Sequence, residues 1–175
     1  SDITPESVGT PKAMLIEGYV WDLPEGPDLT TKAIEIAKQN GTAVALSLSD
    51  SFCVERHRDS FEHAVRNGVD IVVADEDEVA ALEALESYDN LSAMTRSEKG
   101  SVIVHGDDFI EQPATFVEEV IDTTGAGDAY TAGFLYGWVN DRPLAECARL
   151  GTFCGTTVVQ QLGARIEPGL LDSYK

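Results

Sequence analysis

The sequence predicts an α/β domain built on a mostly parallel central sheet. Short apolar runs alternate with longer amphipathic stretches across the first half of the chain, and glycine, proline and acidic residues fall at the joints. Each joint-to-joint spacing leaves room for a crossover helix, which parallel pairing requires and a hairpin does not. At 175 residues, 43% hydrophobic and 25% charged, the chain fits one domain over 1–175 with a core that needs no disulfides.

The elements follow in order. "KAMLIEGYVW" (12–21) reads as a strand running into a loop that Pro24 and Pro27 keep irregular. Residues 28–41 read as a helix with Ala33, Ile34 and Ala37 on one face and Gly41 as its stop. "TAVALSLS" (42–49) is a buried strand, 54–68 a charged helix ending at Gly68, and 69–74 another strand. Residues 75–87 form a helix whose acid-rich first turn suits the dipole. The pattern then changes to four short strands at 91–95, 100–106, 108–114 and 115–121, with a tight turn at Gly106, Asp107 and Asp108. Two helices, 126–139 and 143–161, and a short closing helix from about 168 complete the chain.

Composition excludes several classes. A net charge of −19 argues against a nucleic-acid or anionic-membrane surface, both of which need Lys and Arg against phosphate. No apolar run reaches the ~18 residues of a membrane span, and no secretory leader is visible. Cys53, Cys147 and Cys154 form no CxxC pair and are too few for a disulfide framework, which fits a reducing cytoplasm. Cys53 and His57 stand four apart, a spacing at which two metal ligands share a helix face, but no second such pair accompanies them.

"DTTGAGDAYTAGFL" (122–135) sets three glycines and two acids at the mouth of a helix. A dinucleotide fingerprint fails here, because Tyr130 occupies the third glycine position and helix follows helix. Gly133 and Gly137, four apart, read as a face for close packing. That leaves Gly125, Ala126, Gly127 and Asp128. A helix opening there aims unpaired N–H groups and the positive end of the dipole at an anion. An acid in a pure anion site would repel it. Beside an attacking hydroxyl the same acid is a general base, so this turn points to phosphoryl transfer to an alcohol.

The same stretch resembles the second signature of the ribokinase-like (PfkB) carbohydrate kinases, D-T-x-G-A-G-D. The resemblance implies a three-layer α/β/α fold with Asp128 as catalytic base and Gly125, Ala126 and Gly127 as anion hole. "ADEDEV" is similar to the family's N-x-x-E element, which acts on Mg2+ through water. Glu78 matches its Glu, and Asp75 stands where Asn is usual. "TRSEKG" resembles the T-x-G-x-x-G nucleotide turn through Thr95 and Gly100, with Ser97 replacing a glycine. Asp122 and Thr124 match the positions at which some members hold a monovalent cation such as K+. "LGTFCGTTVVQQLGAR" resembles the helix and Gly-Ala turn beside adenine, which points to Thr152 and Gly163.

"IEGYVWDLP" and "LSLSDSFCVERHRDSF" are similar to the adenosine-kinase-like branch, and residues 49–52 are expected near the cleft. The likeness implies ATP and Mg2+ as cofactors and a sugar or nucleoside as small-molecule partner. It leaves the oligomeric state open, a dimer included. It covers the later, nucleotide-side half of the family domain; the N-terminal part and the lid are not in these residues.

Overall fold

The computed structural model describes residues 3–82, 85 and 88–174. Six strands form one sheet in the order β1-β2-β3-β4-β5-β6. They are β1 (Ala13–Glu17), β2 (Ala43–Ser47), β3 (Ile71–Asp75), β4 (Leu91–Thr95), β5 (Ser101–His105) and β6 (Asp108–Gln112). The first three are parallel, with Ala13 opposite Ala43 and Ala45 opposite Ile71. Between β4 and β5 lie residues 96–100, and between β5 and β6 only Gly106 and Asp107. Links that short join antiparallel neighbours, so the sheet is mixed. The chain divides into two compact units, Ser1–Met94 with Val104–Asp107, and Thr95–Ile103 with Asp108–Lys175.

In the first unit, α1 (Pro5–Val8) precedes β1, and β1 runs into a 3-10 turn, Gly18–Asp22. The expected strand of 12–21 is therefore shortened to five residues. Trp21, 2% exposed, leaves the strand path to stack on Phe61 with ring centroids 4.4 Å apart. Helix α2 (Gly26–Gln39) buries Ala33, Ile34 and Ala37, the face its periodicity foretold, and Gly41 follows at φ +70° as its stop. The helix expected over 54–68 begins earlier and is broken. Asp50 caps α3 (Ser51–Arg56) by accepting the N–H of Cys53 at 3.0 Å, and His57, at φ −121°, separates it from α4 (Arg58–Asn67). Helix α5 is described over Glu76–Ala81; residues 83, 84, 86 and 87 of the longer helix expected there lie outside the described residues.

In the second unit, α6 (Ala126–Val139) and α7 (Leu144–Val158) pack as a hairpin. Their contact needs small residues. A Cβ on Gly133 would come 2.5 Å from the Leu150 carbonyl oxygen and 2.8 Å from Cys154 Sγ, and one on Gly137 would come 3.0 Å from Cys147 Cα. Buried Tyr130 donates to Ser101 Oγ at 2.8 Å, tying α6 to β5. The strand expected at 115–121 is not formed. Its β-branched and apolar residues suit a strand, yet Phe116, Val120 and Ile121 are exposed, and the N–H of Ile121 bonds the Val159 carbonyl after α7 rather than a strand. The closing element is a 3-10 turn, Leu170–Ser173. No helix among the described residues is long and apolar enough to cross a membrane.

Candidate functional site

The glycine loop of the second unit is shaped by three requirements. Gly125 sits at φ +76°, and a Cβ there would lie 2.5 Å from that of Ala164, so conformation and neighbour both demand glycine. Helix α6 then opens. The N–H of Ala126 bonds Thr123 O at 3.1 Å, and the first full helical bond runs from the N–H of Ala129 to Gly125 O at 2.8 Å. Among the described residues, no acceptor takes the N–H groups of Gly127 and Asp128. Both residues are exposed, and a Cβ on Gly127 would meet nothing within 4 Å. Free donors, open space and the positive end of a 14-residue helix coincide at one turn. The Asp128 side chain emerges from that same turn.

Asp122 fixes the loop. Its Oδ1 accepts the N–H of Thr124 and its Oδ2 the N–H of Gly163, each at 2.9 Å. The Thr124 hydroxyl, then the Thr124 and Gly163 N–H groups, hold its carboxyl below the usual carboxylate range. Gly163 adopts φ +86° to present that N–H. The loop and the 163–164 turn are thus joined at two points, a link that the forty residues between them hide from motif reading.

The other expected nucleotide-side residues lie elsewhere in this unit. Ser97 is exposed and holds φ +50°, the left-handed region in which its glycine counterpart is at ease. Gly100, at φ +97°, is buried, and a Cβ on it would strike the Gln112 carbonyl and come 2.6 Å from the Ala114 nitrogen. Packing alone therefore accounts for that glycine. Thr95 ends β4 just before this turn, which Arg96 closes by donating its N–H to Gly100 O at 2.7 Å. Thr152 is 8% exposed on α7.

In the first unit, Asp75 and Glu78 form a reciprocal cap. Asp75 Oδ1 accepts the N–H of Glu78 at 2.8 Å, and Glu78 Oε2 accepts that of Asp75 at 2.9 Å. Burial pushes the Glu78 carboxyl up to about 7. The charges of Asp75, Asp50 and Glu17 add to this, and the Asp75 N–H pulls back. Glu17 closes β1, Asp50 follows β2 and Asp75 closes β3, so acids gather past the carboxyl ends of three parallel strands. Ligands of open α/β sheets bind at such ends, and that rule would have singled out Glu17, which motif reading passed over, beside Asp50 of the expected 49–52 stretch. Ser49, at φ +71°, fixes the end of β1: its Oγ accepts the Gly18 N–H at 2.8 Å and donates to Glu17 Oε2 at 2.9 Å. Phe52, also expected near the cleft, is 69% exposed.

Comparison with known proteins adds a family. A family model described as pfkB family carbohydrate kinase matches residues 4–169. An adenosine kinase from Sinorhizobium meliloti is similar at 41% identity and a TM-score of 0.87, over 94% of this chain and 54% of that one. A cytidine kinase from Thermococcus kodakarensis is 45% identical over 75 residues, 42% of this chain and 27% of its own length. An E. coli protein proposed to be a ribokinase II, in complex with ATP and Mg2+, has a TM-score of 0.84 at 18% identity, over 93% of this chain and 56% of that one, a likeness of fold alone. The fold is ribokinase-like α/β, and the chain spans about half the length of these solved structures and less of the curated relative.

Proposed function

We propose, since this chain belongs to the pfkB family of carbohydrate kinases, that it carries the phosphate side of an ATP-dependent transfer to a hydroxyl of a sugar or nucleoside. The observation that carries this reading is the opening of α6, where the unused N–H groups of Gly127 and Asp128 and an exposed carboxylate share one turn. In the proposed reaction the acceptor hydroxyl passes its proton to Asp128 while its oxygen bonds the γ-phosphorus. The bond from that phosphorus to the β–γ bridging oxygen breaks, and ADP leaves. The Gly125–Gly127 turn is the anion hole in this reading, and the Gly127 N–H, unlike that of Ala126, is unused and would offset the charge on the migrating phosphoryl oxygens.

Oxygen donors suit Mg2+, and Glu78 with Asp75 would hold it through water. When bound, Mg2+ neutralises phosphate charge. Thr95, Ser97, Gly100, Thr152 and Gly163 remain the proposed nucleotide contacts. Asp122 and Thr124 would hold K+ in the same reading, although both Asp122 oxygens already accept an N–H and the clamp is the simpler role. The named relatives, an adenosine kinase and a cytidine kinase, favour a ribosyl hydroxyl as acceptor. ATP supply and three free thiols favour a cytoplasmic setting.

The 54% coverage of the adenosine kinase favours a second reading, in which these residues bind nucleotide and draw the acceptor site from elsewhere. An ADP-release assay against sugars and nucleosides separates the two: turnover by the 175-residue chain alone excludes the second. In whichever form turns over, Asp128→Asn is expected to lower turnover by about two orders of magnitude or more with ATP affinity nearly unchanged. Near-normal turnover of that variant removes Asp128 from the role of base.

A further inference from the structure

A second cluster of ligating side chains lies in the first unit, independent of the kinase reading. Asp22 closes the 3-10 turn after β1, Cys53 lies inside α3, and His57 stands at the break between α3 and α4. A carboxylate oxygen, Cys53 Sγ and a ring nitrogen of His57 all lie within 4.8 Å of one another. His57 Nε2 is 2.9 Å from Asp22 Oδ1. Arg56 grips the same carboxylate, with Nη2 2.7 Å from Oδ2 and Nε 3.2 Å from Oδ1. Cys53 is fully buried and its thiol donates to Gly18 O at 3.4 Å.

We propose that Asp22 Oδ1, Cys53 Sγ and His57 Nε2 bind a zinc-type divalent transition ion, with water as fourth ligand. The donor chemistry selects the ion: one thiolate, one imidazole and one carboxylate suit Zn2+, whereas Mg2+ takes oxygen alone. The spacing fits as well. Ligand atoms bound at about 2.0–2.3 Å around a tetrahedral ion stand roughly 3.3–3.8 Å apart, so small side-chain rotations suffice. The buried sulfur closes one side of the site, while the Asp22 and His57 side chains, 38% and 27% exposed, leave the fourth position to solvent. Arg56 on Oδ2 is the outer partner that aims the carboxylate.

Binding forms the metal–sulfur bond as the thiol proton leaves to solvent, and His57 enters as neutral imidazole, its bond to Asp22 giving way to the ion. The ion competes with a proton for the sulfur, so affinity climbs with pH. The ion would pin the Gly18–Asp22 turn to the α3–α4 junction.

The test titrates the reduced, metal-free chain with Co2+ and then Zn2+. The expected result is a thiolate-to-cobalt charge-transfer band that saturates at one equivalent, is bleached by Zn2+, strengthens between about pH 6 and about pH 8, and disappears in Cys53→Ser and His57→Gln. Circular dichroism checks that each variant is folded. His57 is partly exposed, so His57→Gln decides the matter should the buried Cys53→Ser variant not fold. Absence of the band, or its persistence in folded His57→Gln, overturns the site.

Discussion

Gly127→Ala separates what the fold needs from what a ligand needs. Gly127 lies in the first turn of α6, and an added Cβ meets no atom within 4 Å. The protein therefore loses nothing by the methyl group. It gains the difference in helix propensity and the smaller entropy of the unfolded chain, together about 0.5–1 kcal/mol. The urea midpoint is expected to rise at unchanged slope. Binding should move the other way. If the γ-phosphate seats on the N–H of Gly127, a methyl group stands in its approach. One charge-assisted hydrogen bond of about 1.5–3 kcal/mol is lost, a weakening of roughly tenfold to a hundredfold. Calorimetry with Mg-ATP and Mg-ADP reads this directly: ATP affinity falls, ADP affinity barely changes. A lower urea midpoint would mean that the space is not open. An unchanged ATP affinity in the more stable variant would refute the anion hole at this turn.

Gly133→Ala is the opposite case. Contacts of 2.5 Å to the Leu150 carbonyl oxygen and 2.8 Å to Cys154 Sγ force α6 from α7, so its urea midpoint should fall, reflecting a stability loss of about 1–3 kcal/mol less the helix-propensity gain. Glu78 carries a pH signature. Its folded value of about 7 lies above the ordinary 4.5, so the protonated carboxyl favours the fold. The stability it confers is complete below about pH 4.5 and is lost as pH rises through 7. Glu78→Gln keeps the acceptor for the Asp75 N–H, and its stability should fall less over that window in urea titrations at stepped pH. Asp122 works with the reverse sign, because its folded value is lowered. Asp122→Ala should speed amide hydrogen exchange at Thr124 and Gly163 above about pH 4, and the difference from wild type should shrink as pH falls through the folded value.

The legible and illegible parts of this chain differ in the range of the interactions involved. Crossover spacing and the buried face of α2 are local properties, and both were readable residue by residue. The segment 115–121 shows that β-branched and apolar residues signal a strand only where a partner edge exists. Here the N–H of Ile121 finds the end of α7 instead. Helix α3 likewise begins before its apolar pattern does, because Asp50 supplies a cap.

The glycines make the point most sharply. Four of them look alike in the chain, yet Gly125 and Gly100 are forced by positive φ and a close neighbour, Gly133 by the facing helix, and Gly127 by nothing in the fold. Residue chemistry alone points the 122–128 turn to phosphoryl transfer to an alcohol; the family resemblance adds ATP as donor and a sugar or nucleoside as acceptor. Geometry contributes the remaining step. A glycine that neither conformation nor packing requires, beside two unused N–H groups and an exposed carboxylate, fits the proposal that a phosphate approaches from outside the chain. The case for the proposed chemistry at this turn therefore rests more on Gly127 than on Gly125 or Gly133 of the same motif.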